Sequence, residues 1–156
     1  MLFNDLYCLS HPGVCTISIG ASQPAHFTEH LQVLPLLQKE QSPLLAEIDG
    51  RLRHEMKNRT GHERPDALWP DLPSWDQSPG AINLPMTIWL YQLLRGWAMR
   101  DFARNRYRDL GQGSSWVPGT TADRVKAYDF KQVKTATGLH PKELKALLID
   151  AHRALR

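Results

Sequence analysis

The chain predicts a mostly α-helical fold with one short β-strand and about five to six helices. Three observations carry this. Apolar residues recur at helical spacing in several segments, for example Leu44, Leu45, Ile48, Leu52 and Met56. Proline or glycine punctuates the ends of those segments, with eleven prolines and ten glycines in 156 residues. A single run, Val14 to Ile19, has the β-branched composition and length of a buried strand. The organisation divides into residues 1–60 (the strand and its flanking helices), a Pro/Trp-rich extended linker at 61–83, and a helical tail at 84–156.

Met1 to Leu9 reads as the last turns of a helix, with Leu2, Phe3, Leu6 and Leu9 on one side. Its abrupt start, with no cap before it, is what truncation of a longer unit would leave. Pro12-Gly13 marks a turn into the strand. Gly20-Ala21-Ser22 closes the strand with residues small enough for a ligand to approach the backbone. Ser22 is the expected N-cap of the next helix, with Pro24 in its first turn and Phe27, Leu31 and Leu34 on one face. A strand, a small-residue loop and a helix N-terminus are the arrangement in which free N–H groups hold a phosphate.

Ser42-Pro43 opens the next helix, which ends at Thr60-Gly61. Gly61 to Asn83 holds Pro65, Pro70, Pro73 and Pro79, which exclude a long helix. Trp69 and Trp75 are read there as aromatic anchors. Leu84–Leu94 and Trp97–Leu110 are two helices, or one broken at Gly96, with Gly111 as the C′ residue. A glycine- and serine-containing loop to Ala122 includes Trp116-Val117-Pro118-Gly119. Asp129 is expected to cap a short helix to Thr137, and Pro141 to begin the last helix, whose stripe is Leu144, Leu147, Leu148, Ala151 and Leu155.

Apolar content of 42% and a net charge of +3 suit a soluble surface rather than a nucleic-acid partner. Arg100, Arg104, Arg106 and Arg108 are diluted by Asp101 and Asp109, so nucleic acid is not the expected partner. The segment from Arg124 to Arg156 carries eight basic and three acidic side chains, and its two helices offer a helix-turn-helix as a minor alternative. Cys8 and Cys15 match no disulfide or metal spacing, and free thiols point to a cytoplasmic location. No apolar run is long enough for a membrane span. His26 and His30, four apart on one helix, are two ligands at most and do not make a zinc site.

Two sets of residues carry a family resemblance. Leu9-Ser10-His11-Pro12-Gly13-Val14, then Gly20-Ala21-Ser22 and Glu29-His30, resemble the C-terminal part of an aldo/keto reductase. In that family the segment is the last β/α unit of a β/α barrel, and its loop and helix start bind the phosphate end of NADP(H). The resemblance implies cofactor contacts at Gly20, Ala21, Ser22, Gln23, His26, Glu29 and His30. The family usually has Ile-Pro-Gly where this chain has Ser18-Ile19-Gly20, a basic residue or glutamine at His26, and asparagine at His30. It also places the catalytic tetrad upstream of this segment, so no catalytic residue is assigned here.

The second set is Asn83-Leu84-Pro85, Leu90-Tyr91, Arg106-Tyr107, Leu110-Gly111, Trp116-Val117-Pro118-Gly119 and Ala151-His152-Arg153-Ala154-Leu155-Arg156. It is similar to the ferredoxin-like tails of bacterial aldo/keto reductases. No cysteine follows Cys15, so no iron–sulfur cluster is expected. The resemblance implies an NAD(P)H-dependent oxidoreductase portion, inactive alone and completed by an upstream half of the barrel. The alternative is a small helical protein-binding module without catalysis.

Overall fold

The computed structural model describes residues 2–37, 42–113, 117–133, 135 and 139–156. Seven α-helices lie among them: α1 Leu2–Leu9, α2 Pro24–Leu31, α3 Leu34–Leu37, α4 Ser42–Thr60, α5 Leu84–Trp97, α6 Arg100–Asp109 and α7 Pro141–Leu155. The chain forms two compact units, Met1–Arg51 and Leu52–Arg156. The division falls inside α4, not at its end, because Leu45 joins the first core whereas Met56 is fully buried in the second unit. No helix of the described residues is long and apolar enough to cross a membrane.

In the N-terminal unit, Leu6 of α1, Val33 and Leu45 form a small core, with Phe3, Tyr7 and Leu36 packed against it. The end of α1 is well finished. Ser10 Oγ donates to the Tyr7 carbonyl at 2.8 Å and His11 Nδ1 lies 2.7 Å from the same oxygen, satisfying an acceptor the helix leaves open. Gly13 then turns the chain at φ +88°.

The expected strand does not form. Residues 14–20 are irregular and almost wholly exposed, and among the described residues none pairs with them in a ladder. β-branched composition favours a pleated backbone, but a strand exists only where a second strand accepts its hydrogen bonds. Among the described residues the nearest thing to a sheet is one isolated parallel bridge, Ile82 with Thr120, in the other unit.

The C-terminal unit is built on α5 and α7, which run through two adjoining cores. Leu84 and Ile88 of α5 meet Leu144 and Leu148 of α7 in one core, together with Leu68, Ile82, Val125 and Phe130. Leu90 of α5 meets Ala151 and Leu155 of α7 in the other, closed by Ala103, Tyr107 and Leu110. The segment at 61–83 is therefore not a linker. It forms three short 3₁₀ turns, Trp69–Asp71, Trp75–Gln77 and Pro79–Ala81, and puts Leu68 and Ile82 into the core. Trp69 is anchored edge-on against Trp89, with ring centroids 6.0 Å apart.

Asn83 fastens this segment to α5. Its Oδ1 accepts from Met86 N–H at 3.0 Å as the N-cap, while its Nδ2 donates to the Pro118 carbonyl at 2.8 Å. The break between α5 and α6 comes at Ala98, φ +55°, rather than at Gly96. Gly96 stays helical because its missing side chain makes room for Met56; a Cβ there would lie 2.2 Å from the Met56 sulfur. Trp97 Nε1 donates to the Leu52 carbonyl at 2.9 Å and fixes the same contact.

The short helix expected from Asp129 is absent. Residues 129–133 and 135 are not helical, and the Asp129 carboxylate instead accepts the Lys131 N–H at 3.0 Å. A 3₁₀ turn at Val125–Ala127 precedes it. Lys134 and Ala136–Gly138, the rest of that expectation, lie outside the described residues, as does Trp116. The described part of the first helix of the helix-turn-helix alternative is therefore missing. The last helix begins at Pro141 as expected, with a capping box. His140 accepts from the Lys142 N–H at 3.2 Å and the Glu143 carboxylate accepts the His140 N–H at 3.1 Å.

Between α6 and α7, the Tyr107 hydroxyl accepts the buried Ala122 N–H at 2.8 Å and lies 2.8 Å from His152 Nδ1. Burial pushes the Tyr107 hydroxyl up to about 12. Burial also holds His152 below its ordinary value, opposed by Asp123 and reinforced by Arg156. A histidine whose folded value is depressed binds protons more readily when unfolded, so its contribution is present above the ordinary value near 6.5 and is lost on acidification. Thermal unfolding of this unit is expected to shift to lower temperature between pH 7.5 and pH 5.5. The shift should be smaller in His152→Gln, and an equal shift in both proteins would remove His152 as its source.

Candidate functional site

The residues assigned to cofactor contact all lie in the N-terminal unit, along the approach to α2. None of the backbone N–H groups from Cys15 to Gln23 donates to a backbone carbonyl among the described residues. Gly20 is exposed, and nothing stands within 4 Å of where its Cβ would be. Its φ is not in the left-handed region, so glycine here leaves open space beside the peptide and is not required by the turn.

The N-cap of α2 is Gln23, in extended conformation at φ −152° and ψ 152°, not Ser22. No side chain caps the helix, and Pro24 occupies its first turn. The first-turn N–H of Ala25 thus stays available at the positive end of the helix dipole. Ser22 misses the cap because its hydroxyl lies by the His26 ring, 3.4 Å from Nδ1. Gln23 Nε2 donates to His26 Nε2 at 2.9 Å. Ser22, Gln23 and His26 are thereby drawn together beside the open helix start, with Gly20 and Ala21 leading into it. They present one imidazole, one amide and one hydroxyl to an anion. That donor set suits a phosphate ester held mainly by neutral hydrogen bonds, with less charge than an arginine would bring.

Glu29 and His30 are not part of that group. Glu29 is exposed further along α2. His30 turns inward, only 9% exposed, with Nδ1 2.5 Å from Asp5 Oδ2 of α1. Its Nε2 is buried and meets no partner among the described residues. Beside the pair lies a cavity of about 290 Å³, lined by Cys15, Ile17, Ile19 and Leu34 among others. Asp5 was legible as an oddity: it sits three residues after Leu2 and four before Leu9, a carboxylate on the apolar stripe of α1. Its partner, twenty-five residues away, had no sequence signal.

Cys8 and Cys15 are free and exposed. No group of three or more His, Cys, Asp or Glu among the described residues is placed to hold a metal ion. Comparison with protein-family models, curated proteins and solved structures finds no match for this chain.

Proposed function

We propose that residues 1–60 are the cofactor-phosphate end of an NAD(P)H-dependent oxidoreductase of the aldo/keto reductase type, with the helical tail continuing from it. The observation that carries this reading is the state of residues 14–20. They are irregular, the N–H groups from Cys15 onward meet no backbone carbonyl among the described residues, and they lead into an uncapped helix start. Exposed apolar side chains are frequent in the same unit, within that segment and after it: Val14, Ile19, Phe27 at 50%, Leu31 at 60%, Leu34 and Leu37. So much apolar surface on about fifty residues suits a unit whose neighbours in a barrel are a separate set of strands.

Backbone N–H groups of Gly20 to Gln23, with the side chains of Ser22, Gln23 and His26, hold the phosphate end of the cofactor in this reading. Glu29 faces solvent beyond them. His30 acts indirectly, by tying α2 to α1 through Asp5. Bound nicotinamide supplies the hydride, and the carbonyl acid belongs to the upstream half of the barrel. The chain by itself is expected to show no reductase turnover, and without cysteines in its tail it holds no iron–sulfur cluster. A helical protein-binding module is the second reading, favoured by the two well-filled cores of the C-terminal unit.

Amide chemical shifts of the labelled chain, followed during titration with NADPH and with 2′,5′-ADP, test the first reading. Shifts confined to Gly20–His26 are expected, in the millimolar range and equal for both ligands. No shift there, or shifts spread over α5 to α7, would overturn it.

A further inference from the structure

A cavity of about 410 Å³ lies in the C-terminal unit, beside the end of α4 and between residues of α5 and α7. It shares no residue with the cofactor reading. Leu68, Leu139 and Leu147 give it an apolar side that is continuous with the core. Leu68 is buried in that core, and the other two pack against it at half burial.

Gln92 of α5 supplies the observation that points to a ligand. The residue is 6% exposed, and its side-chain amide makes no hydrogen bond among the described residues. In this unit the fully enclosed unpaired side-chain atoms among the described residues are the Ser78 and Thr87 hydroxyls, and the Gln92 amide is not one of them. It therefore keeps accessible surface, and it lines this cavity. A primary amide brings two N–H donors and an accepting oxygen, and protein interiors seldom leave such groups unpaired. What satisfies it must offer an acceptor and a donor side by side.

Two opposite charges stand at the same cavity. Arg95, one helical turn beyond Gln92, donates from Nη2 to the Arg59 carbonyl at 2.9 Å and lies 5.7 Å over the Tyr91 ring. Its other N–H groups remain open. Glu143 of α7 accepts the His140 N–H at Oε2, 3.1 Å away, and its Oε1 has no partner among the described residues. Arg95 and Glu143 form no ion pair with each other, so both are open to a ligand.

We propose that this cavity binds a free α-amino acid with an aliphatic side chain. The carboxylate pairs with Arg95 and a Gln92 N–H, and the ammonium with Glu143 and the Gln92 oxygen. The side chain lies against Leu68, Leu139 and Leu147. A plain carboxylic acid would leave Glu143 unmatched, and a plain amine would leave Arg95 unmatched. In a peptide the two charges sit at opposite ends, too far apart to meet one amide. The volume is near the low end for small-molecule sites, about 300–1,000 Å³, which suits a ligand of this size.

The test is titration of the labelled full chain with L-leucine, followed by backbone and side-chain amide chemical shifts. Saturable shifts are expected around Gln92, Arg95 and Glu143, with the Gln92 side-chain amide among them. Isocaproate and isoamylamine, which are leucine without its ammonium or its carboxylate, should each bind at least about tenfold more weakly. Gln92→Leu should weaken leucine binding about tenfold while leaving thermal unfolding unchanged or raised, because an unpaired amide is removed. Glu143→Gln keeps an oxygen for the His140 N–H, and should weaken leucine binding about tenfold without changing that of isocaproate. Absence of saturable shifts around the cavity, or equal binding of either analogue, would overturn the proposal. Leucine binding indifferent to both Gln92→Leu and Glu143→Gln would overturn it equally.

Discussion

Gly119→Ala is expected to destabilise the C-terminal unit by roughly 3 kcal/mol or more, read from urea unfolding followed by tryptophan fluorescence. Two costs add. Gly119 has φ +88°, where a side chain costs about 1–2 kcal/mol. A Cβ there would also lie 2.8 Å from Trp75 Cβ, 2.9 Å from the Ala81 carbonyl oxygen and 3.1 Å from Asn83 Cβ. These are main-chain or near-main-chain atoms and cannot swing aside. They belong to the junction where Thr120 N–H donates to Ala81 at 2.8 Å and Asn83 N–H donates to Thr120 at 3.1 Å. Gly61 is the control, with φ +81° and nothing within 4 Å of its Cβ position. Gly61→Ala should cost about 1 kcal/mol, the conformational part alone. Equal losses at the two positions would sink the close-approach argument.

Leu148→Ala is expected to cost about 2–5 kcal/mol by the same measurement. Leu148 is fully buried in α7, in the core that also holds Ile88 of α5, Phe130 and Val125. Residues from four separate stretches of chain converge there, so no single side chain can relax into the space without moving a helix. The adjacent Leu147 is only half-buried and packs at the edge of the same core. Leu147→Ala should cost about 1 kcal/mol, because solvent fills the vacated space. A loss for Leu148→Ala below that of Leu147→Ala would mean that α7 does not pack as described.

Much of the helical framework was legible because its signals are local. Pro43, Pro85 and Pro141 stand in the first turns of α4, α5 and α7, where a missing N–H costs nothing. Gly61 and Gly111 take positive φ just after helices end. Of the stripe Leu144, Leu147, Leu148, Ala151 and Leu155, all are buried as the spacing implies except Leu147, which is half-buried. The candidate site was legible only in part. The run from Gly20 to His26 does lead to an open helix start, but the cap is Gln23, and His30 is turned away to Asp5.

The misread elements share one cause. Val14 to Ile19 has the composition of a strand, yet pairing depends on a second strand that no local pattern supplies. Gly96 looked like a helix breaker, and it is a contact for Met56, forty residues earlier in the chain. Residues 61–83 looked like a linker because prolines forbid regular structure, and they carry Leu68 and Ile82 into the core all the same.

The amino-acid sequence by itself determined where several helices begin and end, which faces they bury, and that the chain lacks the thiolates an iron–sulfur cluster needs. Those properties follow from dihedral preference, periodicity and side-chain chemistry within a few residues. Tertiary structure alone decided that α5 and α7 share two cores and that Asp5 meets His30. Each of these depends on groups far apart in the chain, brought together by burial of apolar surface, which is non-directional and leaves no local mark on the residues it joins.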